Sequence, residues 1–131
     1  MPSVTGILET AVYVSDIRRS CEFYEGLFGF RPVAEGERLT ALAVGPGQVL
    51  LLFRKGASVR LGASAHDGDG QLHLAFAIST PELAAWESRL AERGVPIVER
   101  RTWDLGGRSL YFRDPDGHLL ELATPGVWTN Y

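Results

Sequence analysis

The sequence predicts an α+β fold made of two copies of one βαβββ module. Two observations support this prediction. First, residues 14–17 (Val-Ser-Asp-Ile), where a strand ends and a helix begins, are matched 64 positions later by residues 78–81 (Ile-Ser-Thr-Pro). Second, each half continues with three short strand-like segments separated by turn residues. A chain of 131 residues buries one core, so we expect a single domain, with module 1 at about 5–54, a linker at about 55–70 and module 2 at about 71–124.

Module 1 opens with a predicted strand at residues 7–14, because its side chains alternate between two faces. One face carries Leu8, Thr10, Val12 and Val14, and the other carries Ile7, Glu9, Ala11 and Tyr13. A helix follows, since Ser15 or Asp16 is a suitable N-cap and Gly29 a suitable stop. Its predicted apolar face contains Ile17, Cys21, Tyr24 and Phe28. Three strands are then expected at about 30–35, 39–45 and 48–54, the last two joined by a Gly-Pro-Gly turn.

Module 2 repeats this order. A strand is expected at about 71–78, followed by a helix at about 81–93 with Pro81 in its first turn and Gly94 as its stop. Ser79 and Glu82 have the spacing of a capping box at the start of this helix. The remaining strands are expected at about 95–101, 107–113 and 118–123.

The segment between the modules is rich in glycine and serine and poor in apolar residues, which is typical of a linker. It contains His66-Asp67-Gly68-Asp69, a run that invites comparison with a calcium loop. The alternating ligands and the closing glutamate of such a loop are absent. We therefore interpret this run as ordinary linker sequence.

Composition and charge exclude several classes of function. The net charge of -3 and the thin spread of basic residues do not suggest a nucleic-acid-binding surface. No apolar run approaches the roughly 20 residues of a membrane span, and the first residues lack a signal segment, so a cytoplasmic location is expected. A single cysteine, Cys21, rules out an intrachain disulfide.

Three metal-type side chains fall at related positions of the two modules. The offset of 64 aligns Glu9 with His73, whereas the final strands align at an offset of 70, which relates Glu121 to Leu51. Strand alternation turns Glu9, His73 and Glu121 away from the helices. Taken singly, a glutamate often pairs with an arginine, and a histidine is often a hydrogen-bonded core residue. Together, these groups would be costly to bury without a cation, so we predict that they bind one divalent metal ion.

Several longer stretches resemble a known group of proteins. They are residues 8–16 (Leu-Glu-Thr-Ala-Val-Tyr-Val-Ser-Asp), 22–24 (Glu-Phe-Tyr), 27–30 (Leu-Phe-Gly-Phe), 72–76 (Leu-His-Leu-Ala-Phe) and 111–122 (Tyr-Phe-Arg-Asp-Pro-Asp-Gly-His-Leu-Leu-Glu-Leu). The pattern resembles the vicinal oxygen chelate superfamily, which includes glyoxalase I, fosfomycin- and bleomycin-resistance proteins, methylmalonyl-CoA epimerase and extradiol dioxygenases. The resemblance covers nearly the whole chain. It implies paired βαβββ modules whose curved mixed sheets surround a cavity.

The resemblance also implies site residues. Its ligand positions fall on Glu9, where His or Gln is commoner, on His73 and on Glu121. The further ligand of glyoxalase I falls on Leu51, so a glyoxalase I reaction is not expected. A Glu-His-Glu set favours Mn(II), Fe(II) or Mg(II), and Zn(II), Ni(II) or Co(II) also fit. Candidates to orient the substrate or shuttle a proton are Tyr13, Ser109 and Tyr111. Trp103 and Arg108 lie on a hairpin that could close over an anion, although a plain surface role is favoured.

Two functions from different classes are compatible with this pattern. The first is a metal-dependent enzyme that acts on a small substrate with vicinal oxygens by lyase, isomerase, transferase or dioxygenase chemistry. The alternative is a metal-free protein that sequesters a ligand, as bleomycin-resistance proteins do. The resemblance further implies a homodimer whose sites are shared between chains, although some relatives pair their modules within one chain. No nucleic-acid or membrane partner is expected.

Overall fold

The computed structural model describes all 131 residues and divides into two compact units, Met1–Asp69 and Gly70–Tyr131. The first unit contains β1 (Glu9–Val14), α1 (Ile17–Phe28), β2 (Arg31–Ala34), β3 (Leu39–Gly45) and β4 (Gln48–Arg54). The second contains β5 (His73–Ala77), α2 (Leu83–Glu92), β6 (Glu99–Thr102), β7 (Arg108–Arg113) and β8 (Leu119–Ala123). Each unit also has one short 3-10 helix, Gly62–Ser64 and Thr80–Glu82. No helix is long and apolar enough to span a membrane.

The two units have the same topology, which confirms the predicted α+β fold of two βαβββ modules. Their strand orders are β1-β4-β3-β2 and β5-β8-β7-β6. The first and last strands of each unit pair in parallel, and the other pairs are antiparallel. A parallel pair needs a crossover, and the helix with the two following strands supplies it.

Strand register confirms the residue correspondence that the sequence repeat predicts. In the first unit Ala11 lies opposite Leu51, and in the second Ala75 lies opposite Glu121. Leu51 and Glu121 therefore occupy equivalent positions. The first residue of each unit's first strand is Glu9 in one case and His73 in the other.

Helix α1 has the predicted ends but a different buried face. The Asp16 carboxylate accepts a hydrogen bond from the Arg19 backbone N–H at 3.1 Å, and Gly29 ends the helix with φ of 75°. The residues that are fully buried are Ser20, Tyr24 and Leu27. Only Tyr24 belongs to the predicted apolar face, because a small serine rather than Cys21 sits against the sheet.

The second unit corrects three local predictions. Ser79 does not cap a helix: its hydroxyl donates to the Glu82 carboxylate at 3.0 Å, and a 3-10 turn precedes α2. Strand β6 begins at Glu99 rather than near residue 95. The Val95 N–H bonds back to the Leu90 carbonyl of the helix end, and Pro96 has no N–H to offer a ladder. Helix α2 runs over Leu83–Glu92 and is therefore shorter than the predicted helix at about 81–93.

The predicted linker at 55–70 is a folded loop of the first unit. Ser58, 1% exposed, accepts a hydrogen bond from the Arg38 guanidinium at 2.8 Å. The ends of the loop are tied together, since the Asp67 carboxylate accepts from the Gly56 N–H at 3.0 Å. The carboxylate of Asp67 therefore closes the loop.

A tight turn between β7 and β8 sets the register of the final strand. One carboxylate oxygen of the buried Asp114 accepts from the N–H groups of Asp116 at 3.0 Å and His118 at 2.8 Å. Gly117 takes the left-handed conformation that the turn requires, with φ of 83°. The imidazole of His118 is buried and accepts the Leu72 N–H at 2.9 Å. His118 is thus a structural residue that joins β8 to the start of β5.

The start of β7 depends on close contact between two glycines. The N–H of Gly107 donates to the Gly126 carbonyl at 3.1 Å, and a Cβ at Gly107 would lie 2.4 Å from the Gly126 carbonyl carbon. No side chain fits that space without backbone movement. This contact joins the hairpin between β6 and β7 to the segment that follows β8.

Replacing Gly107 with alanine is expected to lower the free energy of unfolding by about 1–3 kcal/mol, because the methyl group overpacks against backbone. Urea denaturation measures the change. The matched control is Gly6→Ala, where a Cβ has nothing within 4 Å, and it should stay within about 0.5 kcal/mol of the parent. Equal stability of the two variants would contradict the packing described here.

Candidate metal centre

The second unit brings His73 and Glu121 together on neighbouring parallel strands. His73 Nε2 lies 3.3 Å from Glu121 Oε1. The other ring nitrogen, Nδ1, lies 2.8 Å from the backbone carbonyl oxygen of Leu119. A carbonyl only accepts, so Nδ1 carries the hydrogen and donates it. The neutral ring therefore presents the lone pair of Nε2 to the carboxylate.

Two acceptor atoms that face each other repel unless a cation lies between them. Either a proton on Nε2 or a metal ion relieves this repulsion. A divalent ion about 2.1 Å from each of two ligand atoms holds them about 3.0–3.4 Å apart, for octahedral and tetrahedral angles respectively. The observed separation of 3.3 Å agrees with that spacing. Metal-binding histidines are also commonly oriented by a hydrogen bond from their other ring nitrogen to a backbone carbonyl. The pair therefore fits a divalent metal ion.

Glu121 is fixed by two further side chains. Its carboxylate is largely buried, and its Oε2 accepts a short hydrogen bond from the Ser109 hydroxyl. The Ser109 oxygen in turn accepts the Trp103 indole N–H at 2.8 Å. Ser109 is 1% exposed, so water does not compete for these bonds. The predicted substrate-orienting role of Ser109 stays a prediction, and its observed partners are Trp103 and Glu121.

Tyr111 and Arg101 line the same side of the pair. The Tyr111 ring stacks on His73 with centroids 6.3 Å apart, and the Arg101 guanidinium lies 5.3 Å from the Tyr111 ring centre. Burial raises the pKa of Tyr111 above its usual value, and the negative charge of the Glu121 carboxylate raises it further. The hydrogen bond with Ser109 and the positive charge of Arg101 lower this pKa by smaller amounts. The phenol therefore keeps its proton at neutral pH and can donate a hydrogen bond. This placement agrees with the predicted role of Tyr111 without testing it.

The first unit places the other two predicted residues on β1. Glu9 is exposed at the start of that strand. Tyr13 is half-buried, with its hydroxyl 2.8 Å from His66 Nδ1 and its ring stacked on Phe53 at 5.8 Å. Gly68 packs directly on the Tyr13 ring, where a Cβ would approach a ring carbon to 2.3 Å. Tyr13 is thus held by the folded loop at 55–70.

His73 and Glu121 are a pair rather than a complete metal site. No group of three or more His, Cys, Asp or Glu side chains is assembled in this chain. A third protein ligand must come from elsewhere if an ion is bound through three side chains. The assignment of Glu9 to that position stays a prediction.

Sequence analysis missed Arg101 and gave Trp103 a different role. Arg101 lies opposite Ser109 in the β6–β7 ladder, and its guanidinium lies 5.0 Å from the Trp103 ring centre. The favoured plain surface role of Trp103 is wrong, because its side chain is half-buried and its indole N–H bonds the Ser109 hydroxyl oxygen at 2.8 Å. Arg108 is exposed, and its backbone N–H bonds the Thr124 hydroxyl at 2.8 Å. Alternation along 99–103 could have identified Arg101, had the strand not been predicted four residues too early.

Comparison with known families assigns the fold. The sequence profile of the Glyoxalase/Bleomycin resistance protein/Dioxygenase superfamily matches residues 6–122. The chain belongs to this superfamily. The match confirms the resemblance identified from the sequence, and it covers nearly the whole chain.

Individual relatives come from two kinds of enzyme. The metallothiol transferase FosB of Shouchella clausii is 32% identical over 123 residues, which cover 92% of this chain and 81% of that protein. FosB of Staphylococcus epidermidis is 33% identical over 122 residues, covering 92% and 84%. Among solved structures, a lactoylglutathione lyase from Agrobacterium tumefaciens superposes with a TM-score of 0.91 at 29% identity, covering 98% of this chain and 99% of that one.

Proposed function

We propose that this superfamily member is a divalent-metal-dependent enzyme that acts on a small substrate with neighbouring oxygens. The observation that carries the proposal is the His73–Glu121 pair. Its nitrogen lone pair and carboxylate oxygen face each other at a ligand–ligand distance, with the imidazole oriented by a carbonyl. The similarity to proteins named metallothiol transferases supports the proposal that this chain binds a metal ion.

Glu9 is proposed as the third ligand. It begins the first strand of its unit, as His73 does in the other, and it is exposed. Two carboxylates and one imidazole make an oxygen-rich, doubly negative set, which favours Mn(II), Fe(II) or Mg(II) over softer ions, although Zn(II), Ni(II) and Co(II) fit. When bound, such an ion supplies Lewis-acid stabilisation of developing oxygen charge.

The chain's own residues would handle orientation and proton transfer. Tyr111, next to His73 and protonated at neutral pH, is placed to donate a hydrogen bond to a substrate oxygen. Arg101, stacked on the Tyr111 ring, bonds the Glu99 carboxylate at 3.0 Å, and the remaining N–H groups of its guanidinium could bind an anionic group of the substrate. The Tyr13 hydroxyl is held by His66 Nδ1 at 2.8 Å; if the imidazole takes the phenol proton, the resulting phenolate would act as a base toward the substrate.

Thiol transfer is the proposed reaction. The curated relatives are named metallothiol transferases, and the chain covers about four fifths of their length. In such a reaction the thiol gives up its proton, its sulfur bonds to an electrophilic carbon as the bond from that carbon to oxygen breaks, and the released oxygen takes a proton. The glyoxalase alternative is weaker, despite the structural similarity to a lactoylglutathione lyase, because Leu51 occupies the position equivalent to Glu121.

Metal binding tests the proposal first. Purified protein should bind one Mn(II) per Glu9, His73 and Glu121 set, and its melting temperature should rise with Mn(II) and fall with a chelator. His73→Ala should reduce bound metal to background, because it removes the only nitrogen ligand. Elemental analysis after dialysis measures the stoichiometry.

His66→Ala is the matched control, since it removes a histidine outside the proposed set of metal ligands and should keep the parent's metal content. Equal metal content in parent and His73→Ala would rule out this ligand assignment. A parent that binds no metal but binds small oxygenated ligands would favour the alternative, a metal-free sequestering protein.

The reaction can be tested with two substrate pairs. With Mn(II), the protein should join glutathione or cysteine to an epoxide such as fosfomycin, as followed by adduct mass, and Glu121→Ala should slow this by at least about a hundredfold. Glu37→Ala, an exposed glutamate, is the matched control. Methylglyoxal with glutathione should turn over weakly or not at all, because Leu51 offers no carboxylate for proton transfer. Robust methylglyoxal turnover that Glu9→Ala abolishes would contradict this assignment.

We further propose a homodimer in which Glu9 of one chain completes the His73–Glu121 pair of the other. Co-folding Glu9→Ala chains with His73→Ala chains then produces heterodimers with one doubly defective site and one intact site. Metal binding should return to about one quarter of all sites with random pairing, although each variant alone binds none. If confirmed heterodimers stay empty, each chain builds its own site.

A further inference from the structure

We propose that Trp103 is a positioning residue that sets the orientation of the Glu121 carboxylate through Ser109. The inference rests on the proposed metal function of Glu121 and adds a residue to it. Trp103 lies on neither of the strands that carry the ligand pair. Its role follows from the direction of the hydrogen bonds that connect it to Glu121.

The direction of this chain of bonds is determined by chemistry. An indole N–H only donates, so the Ser109 oxygen must accept the bond from Trp103 Nε1 at 2.8 Å. The single hydroxyl hydrogen of Ser109 is then directed to Glu121 Oε2. A bond to a carboxylate is charge-assisted and stronger than a neutral one.

The consequence for Glu121 is that its two oxygens differ. Oε2 is occupied by the Ser109 hydroxyl, whereas Oε1 faces His73 Nε2 at 3.3 Å. The bond fixes the rotation of the carboxylate and leaves Oε1 as the better metal donor. The side chains of Ser109 and Glu121 are almost fully buried, so water does not replace the hydrogen bond between them.

Trp103 is itself held in place. The Arg101 guanidinium stacks over its ring at 5.0 Å. Its backbone N–H bonds the Gly107 carbonyl at 2.8 Å, and its carbonyl accepts the Gly106 N–H at 2.9 Å. The hairpin therefore presents the indole N–H to Ser109 in a fixed direction.

The experiment is a double-mutant cycle read out as Mn(II) affinity. The variants are Trp103→Phe, Ser109→Ala and the double variant, with Trp128→Phe as the matched control because Trp128 is 67% exposed. Competition with a chelating dye measures the Kd, and melting temperatures of the metal-free proteins report on folding. Loss of an outer hydrogen bond to a metal ligand costs about 10- to 100-fold in affinity.

Trp103→Phe should weaken Mn(II) binding by about tenfold, and Trp128→Phe should leave it unchanged. In the Ser109→Ala background, Trp103→Phe should have no further effect, because its action passes through the removed hydroxyl. Additive losses would show a general structural role and overturn the inference. The inference would also be overturned if Trp103→Phe bound Mn(II) with the affinity of the parent. If Trp103→Phe does not fold, the same conclusion follows from an unchanged affinity of Ser109→Ala. A parent without Mn(II) binding would instead overturn the proposed function, and the inference with it.

Discussion

The contact between His73 Nε2 and Glu121 Oε1 is the interaction on which the rest of the second unit's site depends. Backbone structure creates it. Parallel pairing of β5 with β8 puts Leu119 opposite His73, so that its carbonyl takes the Nδ1 hydrogen. The same pairing puts Glu121 two residues further along, on the face that His73 shares. The histidine tautomer is therefore a consequence of strand register.

The two modules share a fold but have divided the chemistry unequally. The position that holds Glu121 in the second unit holds Leu51 in the first. The first unit packs the rings of Tyr13, Phe53 and His66 against one another, and the Tyr13 hydroxyl bonds His66 Nδ1 of the loop at 55–70. In the proposed site, one module would supply two ligands, His73 and Glu121, and the other would supply Glu9, which begins its first strand as His73 does. This inequality explains why the proposed donor set has three members rather than four.

Much of the fold could be predicted from the sequence because its signals are local. Alternation and turn residues located β3 and β4 to the residue, and Asp16 and Gly29 marked both ends of α1. The equivalence of the Leu51 and Glu121 positions in the two units could be predicted because the sequence repeat aligns the strands of one unit with those of the other. The buried face of α1 could not, since a serine at its centre hides the periodicity.

The finer parts of the site depend on tertiary contacts that no local pattern records. Trp103 and Ser109 are six residues apart across a hairpin, which the Trp103 N–H closes by bonding the Gly107 carbonyl at 2.8 Å. Arg101 was missed because Pro96 and the helix end delay the start of β6. The loop at 55–70 has linker composition, yet the buried Ser58 and the Asp67 bond fold it onto the first unit.

The most direct test of the metal assignment is anomalous diffraction from crystals grown with Mn(II). The expected result is an anomalous peak about 2.2 Å from both His73 Nε2 and Glu121 Oε1, with Glu9 as the third protein ligand and Glu121 Oε2 still bonded to Ser109. A peak at other residues, or none beside His73 in crystals whose protein binds Mn(II) in solution, would contradict the assignment.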